Sequence, residues 1–220
     1  MWEKYLGTAV SIVAIFQFAL AVFQWILMKS QTEMQKQSIK IALLDKRMAC
    51  FAVVNEARAQ FFNCGDATPS YLRARLGSSS QEQLVQFLDS LSYRFFKAAL
   101  DAEYLFSKEI SDKLKQLSVL IEKYNMENKR VSLTLKQIND NASAGNENAL
   151  QIARRIASKA AELEQGGCAS ERELMILYGF KENCPYLLLT DALKKEFSDD
   201  RFFDSFLPYL NVNNFGTCQI

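Results

Sequence analysis

Four carboxylates, Glu196, Asp199, Asp200 and Asp204, fall within nine residues near the C-terminus. Carboxylates gathered this closely suit acid–base chemistry or a hard cation. The same spacing suits a capping turn beside a solvated helix face, and that is the simpler reading. The five cysteines, Cys50, Cys64, Cys168, Cys184 and Cys218, are an odd number at wide, irregular spacings. They form no C-x-x-C pair, so they resemble neither a disulfide framework nor a zinc or dithiol site. Cys168 stands just ahead of a helix start, where the dipole can lower a thiol pKa, but a buried or incidental thiol is the simpler reading. There is no histidine. That removes Ser-His-Asp and Cys-His catalysis and His-dependent metal sites together. No phosphate-cradling glycine loop is present. The expectation is a protein that is not an enzyme, with no catalytic residues, no cofactor and no metal.

The elements that must position these groups begin with an uncharged run of twenty-four residues, 5–28. As a helix it would extend about 36 Å, against a hydrocarbon core of about 30 Å. Lys4 and Lys29 bracket it, and Trp2, Tyr5 and Trp25 sit at its ends, where interfacial aromatics belong. A signal peptide has a shorter apolar core and a small-residue cleavage site, which Trp25-Ile26-Leu27-Met28-Lys29 does not offer. Residues 1–28 are therefore expected to be a single transmembrane anchor. Lys29, Lys36, Lys40, Lys46 and Arg47 follow it, so the N-terminus is expected outside and the C-terminal domain cytoplasmic, on the inner (cell) membrane. Those cations make membrane lipid a partner. A net charge of +1 gives no reason to expect nucleic acid.

Within the anchor, Gly7, Val10, Ala14, Gln17, Ala21, Gln24 and Met28 recur at spacings of three and four. Small residues let helix backbones approach in lipid, and glutamines hydrogen-bond across the contact. Gly7, Ala14, Gln17, Ala21 and Gln24 are thus the candidate anchor-association residues. The plain alternative is two glutamines tolerated in a long apolar span.

Beyond the anchor the pattern is all-α. A juxtamembrane helix is expected over 29–63, with Ile41, Leu44, Met48, Phe51, Val54, Ala57 and Phe61 on its apolar side. Residues 64–220 form the helical domain, and 41–62 are expected to pack with it. Gly and Pro punctuate it near 65–69 and 77, and a helix over 81–105 follows, with Ser79 and Glu82 at capping-box spacing. Its apolar face is Leu84, Phe87, Leu88, Leu91, Phe95 and Leu105. Ser107 then caps a long helix whose seam runs Ile110, Leu114, Leu117, Ile121, Tyr124, Asn128, Val131, Leu135, Ile138 and Ala142. This heptad suits a self-associating coiled coil or one helix of an antiparallel bundle. Flanking Ser, Asn, Thr and Leu in place of Glu/Lys pairs favour the bundle. Asn128 sits at an a position, where a polar residue fixes register at some cost. A turn is expected over 139–148, with helices over 149–165, from Ser170 to Tyr178, over 186–197 and over 201–210, and an irregular tail over 211–220.

Three segments carry a resemblance. Ile41-Ala42-Leu43-Leu44-Asp45-Lys46-Arg47-Met48-Ala49-Cys50-Phe51, Ala102-Glu103-Tyr104-Leu105-Phe106-Ser107-Lys108-Glu109-Ile110 and Phe206-Leu207-Pro208-Tyr209-Leu210 resemble landmarks of small bacterial single-pass membrane proteins of unassigned role with a helical cytoplasmic domain. The resemblance implies an anchored helical fold and transfers no catalytic residue. Cys50 stands where those proteins are expected to carry Tyr, and a Gly-Cys and Asn-rich insert lies between 139 and 184. Taken together, the expectation is a membrane-anchored helical interaction or scaffold protein, as a homo-oligomer or with a protein partner. The alternative is a membrane-acting effector or sensor that oligomerises through its anchor.

Overall fold

The computed structural model describes residues 2–62, 78–164 and 170–211, with side chains outside the described set at 2–14, 78–81, 160, 163–164 and 171. The described residues are all-α, without a strand. The helices are α1 (Trp2–Phe62), α2 (Ser78–Leu105), α3 (Lys108–Ser143), α4 (Glu147–Glu164), α5 (Glu171–Leu177), α6 (Pro185–Phe197), α7 (Asp200–Asp204) and α8 (Leu207–Leu210). Two compact units divide the chain, Met1–Lys46 and the residues from Arg47 onward.

In the first unit every described side chain from 15 to 42 is exposed. No helix among the described residues is long and apolar enough to cross a membrane. The uncharged run enters the described side chains only at Ile15. From there to Met28 a helix rises about 21 Å, short of a core of about 30 Å.

Local chemistry sets the helix ends in the second unit. The Ser107 hydroxyl accepts from the Ile110 amide at 3.5 Å, capping α3. Ser170 and Glu173 form a reciprocal capping box on α5. Gly145 and Gly179 take φ of 83° and 86°, and each ends a helix in a Schellman turn. The Asn146 amide bonds to the Asn141 carbonyl, and the Phe180 amide to that of Met175. The turn expected over 139–148 is therefore only three residues long, because α3 runs to Ser143 and Asn146 caps α4 through the Ala149 amide. The helix expected over 201–210 is instead α7 and α8. Pro208 has no N–H to return to the Asp204 carbonyl, so one helix cannot continue through it. α2 starts at Ser78, ahead of the expected Ser79 cap, whose side chain is outside the described ones. The tail from 212 also lies outside the described residues.

Phe106 and Ser107 alone join α2 to α3, so the two form a tight antiparallel hairpin. Each buries a stripe at spacings of three and four: Leu88, Leu91, Phe95, Ala98, Ala102 and Leu105 on α2, and Ile110 to Leu135 on α3. The C-terminal part of α1 closes on them with Arg47, Cys50, Val54, Ala57 and Phe61. This corrects the expected α1 face. Ile41 and Met48 are exposed, and Leu44 and Phe51 are half-buried, because the stripe that packs passes through Arg47 and Cys50 instead. Phe87, expected on the α2 core face, is exposed as well.

Two polar groups enter this core with partners. The Arg47 Nε donates to the Leu105 carbonyl at 2.9 Å, at the negative end of the α2 dipole, with its guanidinium 5.3 Å from the Tyr209 ring centroid. The Cys50 thiol donates to the Ala98 carbonyl at 3.5 Å. Burial first, and Asp101 second, push that thiol up to about 12.

An aromatic joint completes the packing. Phe61 meets Tyr124 edge-on at 5.4 Å and stacks on Phe197 at 5.5 Å, while Tyr124 stacks on Tyr186 with hydroxyls 3.0 Å apart. Phe206 extends it to Phe51, Phe106 and Phe202.

Truncating Phe61 to Ala is expected to cost about 3–5 kcal/mol, read as a drop in urea midpoint. Alkali should also destabilise the fold through Cys50. The unfolded thiol ionises from about pH 8.5–9, whereas the folded one keeps its proton toward 12. Stability should therefore fall by up to about 1.4 kcal/mol per pH unit across that window. A Cys50→Ala variant lacking this loss would confirm the source.

Candidate functional site

Three of the four carboxylates near the C-terminus, Glu196, Asp199 and Asp200, are dispersed onto separate partners. Asp199 caps α7 by accepting from the Arg201 amide at 3.1 Å. Asp200 pairs with Arg58, whose guanidinium also lies 4.0 Å from the Phe203 ring centroid, and Glu196 pairs with Lys113. Among the described residues no cluster of His, Cys, Asp or Glu is arranged to hold a metal. Cys184 precedes α6 and is half-buried, and Cys168 lies outside the described residues. What these groups do, where described, is cap, pair and pack.

The seam residues Leu114, Leu117, Ile121, Tyr124, Asn128, Val131 and Leu135 are all buried within the chain, facing the core of the bundle. Of the anchor stripe, Gln17, Ala21 and Gln24 are exposed, while the side chain of Ala14 and the surroundings of Gly7 lie outside the described set. Asn128 is 0% exposed, and neither its Oδ1 nor its Nδ2 has a hydrogen-bond partner. An orphaned buried amide of this kind costs about 1–3 kcal/mol.

The unusual surface is the side of the α2–α3 hairpin turned away from the core. Along α3, Ser111, Ser118, Asn125 and Ser132 recur every seven residues beside the apolar seam. The first three are buried, and Ser111 Oγ, Asn125 Oδ1 and Ser132 Oγ are unpartnered. Short polar side chains here leave the space between the helices underfilled, and two grooves open onto it. One, of about 710 Å³, has Ser132 and Asn139 in its lining; the other, of about 360 Å³, has Ser118 and Asn125. Lys129 borders both.

Charges edge these grooves in register. Lys129 bonds Asp89 at 2.6 Å, and Lys115 bonds Glu103 at 3.0 Å. The seven-residue spacing on both helices places Glu82 level with Lys136, and Phe96 level with Glu122. The α2 edge is thus acidic at Glu82, Asp89 and Glu103, and the α3 edge is basic at Lys115, Lys129 and Lys136, interrupted by Glu122, which lies level with the uncharged Phe96. Burial disfavours the Asp89 charge, but hydrogen bonds from Lys129 and Asn125 outweigh it and hold the carboxyl below its ordinary range. Phe96 stands on the α2 edge itself, and outside the edges stand Tyr93, Leu100 and Tyr104 of α2, and Val119, Met126 and Leu133 of α3, all exposed.

So many large apolar side chains on one face stand in contrast to scattered single exposures. Heptad spacing carried its signal in the sequence. Reading α3 only for its seam missed it, since Val119, Met126 and Leu133 repeat every seven residues on the opposite side. Comparison of the chain with protein-family models, curated proteins and solved structures finds no match.

Asn128→Leu is expected to raise stability by about 1–2 kcal/mol, since it removes the unpaired amide and keeps the volume. An unchanged or lower urea midpoint would show that Asn128 is satisfied in solution.

Proposed function

We propose that this chain is a membrane-tethered helical interaction module, in which the N-terminal helix localises and the bundle presents a face to a protein. The observation that carries this is the bareness of the first unit. Ile15, Phe16, Phe18, Leu20, Phe23, Trp25, Ile26 and Leu27 are all exposed on one helix. Apolar side chains in that number are tolerated only if lipid or another helix covers them. The uncharged run 5–28 supports lipid, because the sequence supplies the length of a span. Lys29 caps the run with its ammonium 5.9 Å from the Trp25 ring centroid, as expected of a pair at the headgroup level. Lys29, Lys36, Lys40 and Lys46 are exposed, free to set a cytoplasmic orientation and to meet anionic lipid. The role proposed for the bundle is binding, not catalysis. Asp199, Asp200 and Glu196 are engaged in a cap and ion pairs and Cys50 in core packing, while the outer α2–α3 face is apolar beside charged rows.

Deleting residues 1–28 is expected to move the protein from an alkali-resistant membrane fraction to the soluble fraction without loss of helicity. A full-length protein that carbonate washing strips from membranes would defeat the tether. Replacing Gln17 and Gln24 by Leu tests the alternative, association through the anchor. If that route operates, self-association in membranes falls with the pair; if it does not, the anchor only localises.

A further inference from the structure

We infer that the outward α2–α3 face is a self-association surface, which a second copy of this chain covers about a two-fold axis parallel to the hairpin. This deepens the interaction-module reading by naming its partner. The charge pattern selects both the occupant and the symmetry. A two-fold lying in the plane of this face and parallel to the helices preserves height and exchanges left for right. It sets α2 of one copy over α3 of the other, level for level. Asp89 then meets Lys129 of the second copy, and Glu103 meets its Lys115, so each internal ion pair becomes part of a four-charge network. The other in-plane two-fold, perpendicular to the helices, lays α2 on α2 and the acidic edge on itself, which like-charge repulsion opposes.

The apolar contacts agree with this arrangement. Tyr93 and Met126 line the same groove from opposite helices. The parallel two-fold seats Tyr93 of each copy against Met126 of the other, over the buried Asn125, whose Oδ1 has no partner among the described residues. Both residues lie opposite the core, at 70% and 54% exposure, so their replacement spares the packing of the monomer. The face is self-complementary in charge and apolar in its outward layer, as a C2 interface requires.

The test uses full-length protein in mild detergent. Sedimentation should give a dimer, and Tyr93→Glu with Met126→Glu should weaken it at least tenfold with the helical circular dichroism unchanged. Independently, differently tagged Tyr93→Cys and Met126→Cys copies, mixed and oxidised, should form the 93–126 disulfide between chains. A monomer at all concentrations, a dimer indifferent to the double Glu variant, or oxidation giving only 93–93 links would each overturn the proposal. A monomer that binds a different protein through this face would overturn self-association and leave the interaction-module reading standing. Carbonate-extractable full-length protein would defeat the tether and leave the dimer test unaffected.

Discussion

Phe61 is the contact on which the bundle closes. It is fully buried at the end of α1, edge-on to Tyr124 of α3 and stacked on Phe197 of α6, and Phe197 in turn meets Phe95 of α2. Four helices are thus tied through three rings and a fourth neighbour. Aromatic pairs at these separations contribute about 0.5–1.5 kcal/mol each beyond the area they bury. Remove this joint and the α2–α3 hairpin loses the cover for its inner face. α1 would then keep the Phe51–Phe206 ring contact and its polar links, among them Arg47 to the Leu105 carbonyl, Cys50 to that of Ala98, and the two-bond Glu56–Arg94 pair at 2.6 and 2.7 Å.

The polar groups inside the bundle fall into two kinds. Arg47 and Cys50 reach carbonyls on α2 and fix the register of α1 against the hairpin. The Glu56 carboxyl is held below its ordinary range by its hydrogen bonds to Arg94, which outweigh its desolvation. Asn128, Ser111 and Ser132 are different, because among the described residues their side-chain atoms have no partner and nothing offsets the cost of Asn128. The e-position serines and Asn125 have a geometric consequence instead, since short side chains beside the seam open the grooves between α2 and α3.

That hairpin is consequently two-faced. Its inner stripes bury Leu, Phe and Ala against α1 and α6, and its outer layer carries Tyr, Leu, Val and Met into solvent on either side of the central acidic and basic rows. Among the described residues only the inner side is covered, and the outer one is exposed.

Element type and most boundaries were legible in the sequence because they depend on neighbours within a turn or two. The Ser107 cap, the Ser170–Glu173 box and the heptad from Ile110 to Leu135 all involve residues a few positions apart, and all are present. The heptad by itself is equally consistent with packing within or between chains. Only tertiary structure, which brings Phe61, Phe197 and Tyr186 against its seam, placed it inside the bundle. The α1 face was misjudged for a related reason. Ile41 and Met48 are apolar enough to predict burial, but the stripe that faces α2 passes through Arg47 and Cys50, whose partners lie 58 and 48 residues away. The outer α2–α3 face was hidden in the same way, since its acidic and basic edges sit in different helices until the two-residue turn at Phe106–Ser107 sets them level. Spacing along the chain determines which residues share a side of a helix. Which side is covered depends on contacts between residues far apart in sequence, and those arise only when the chain folds.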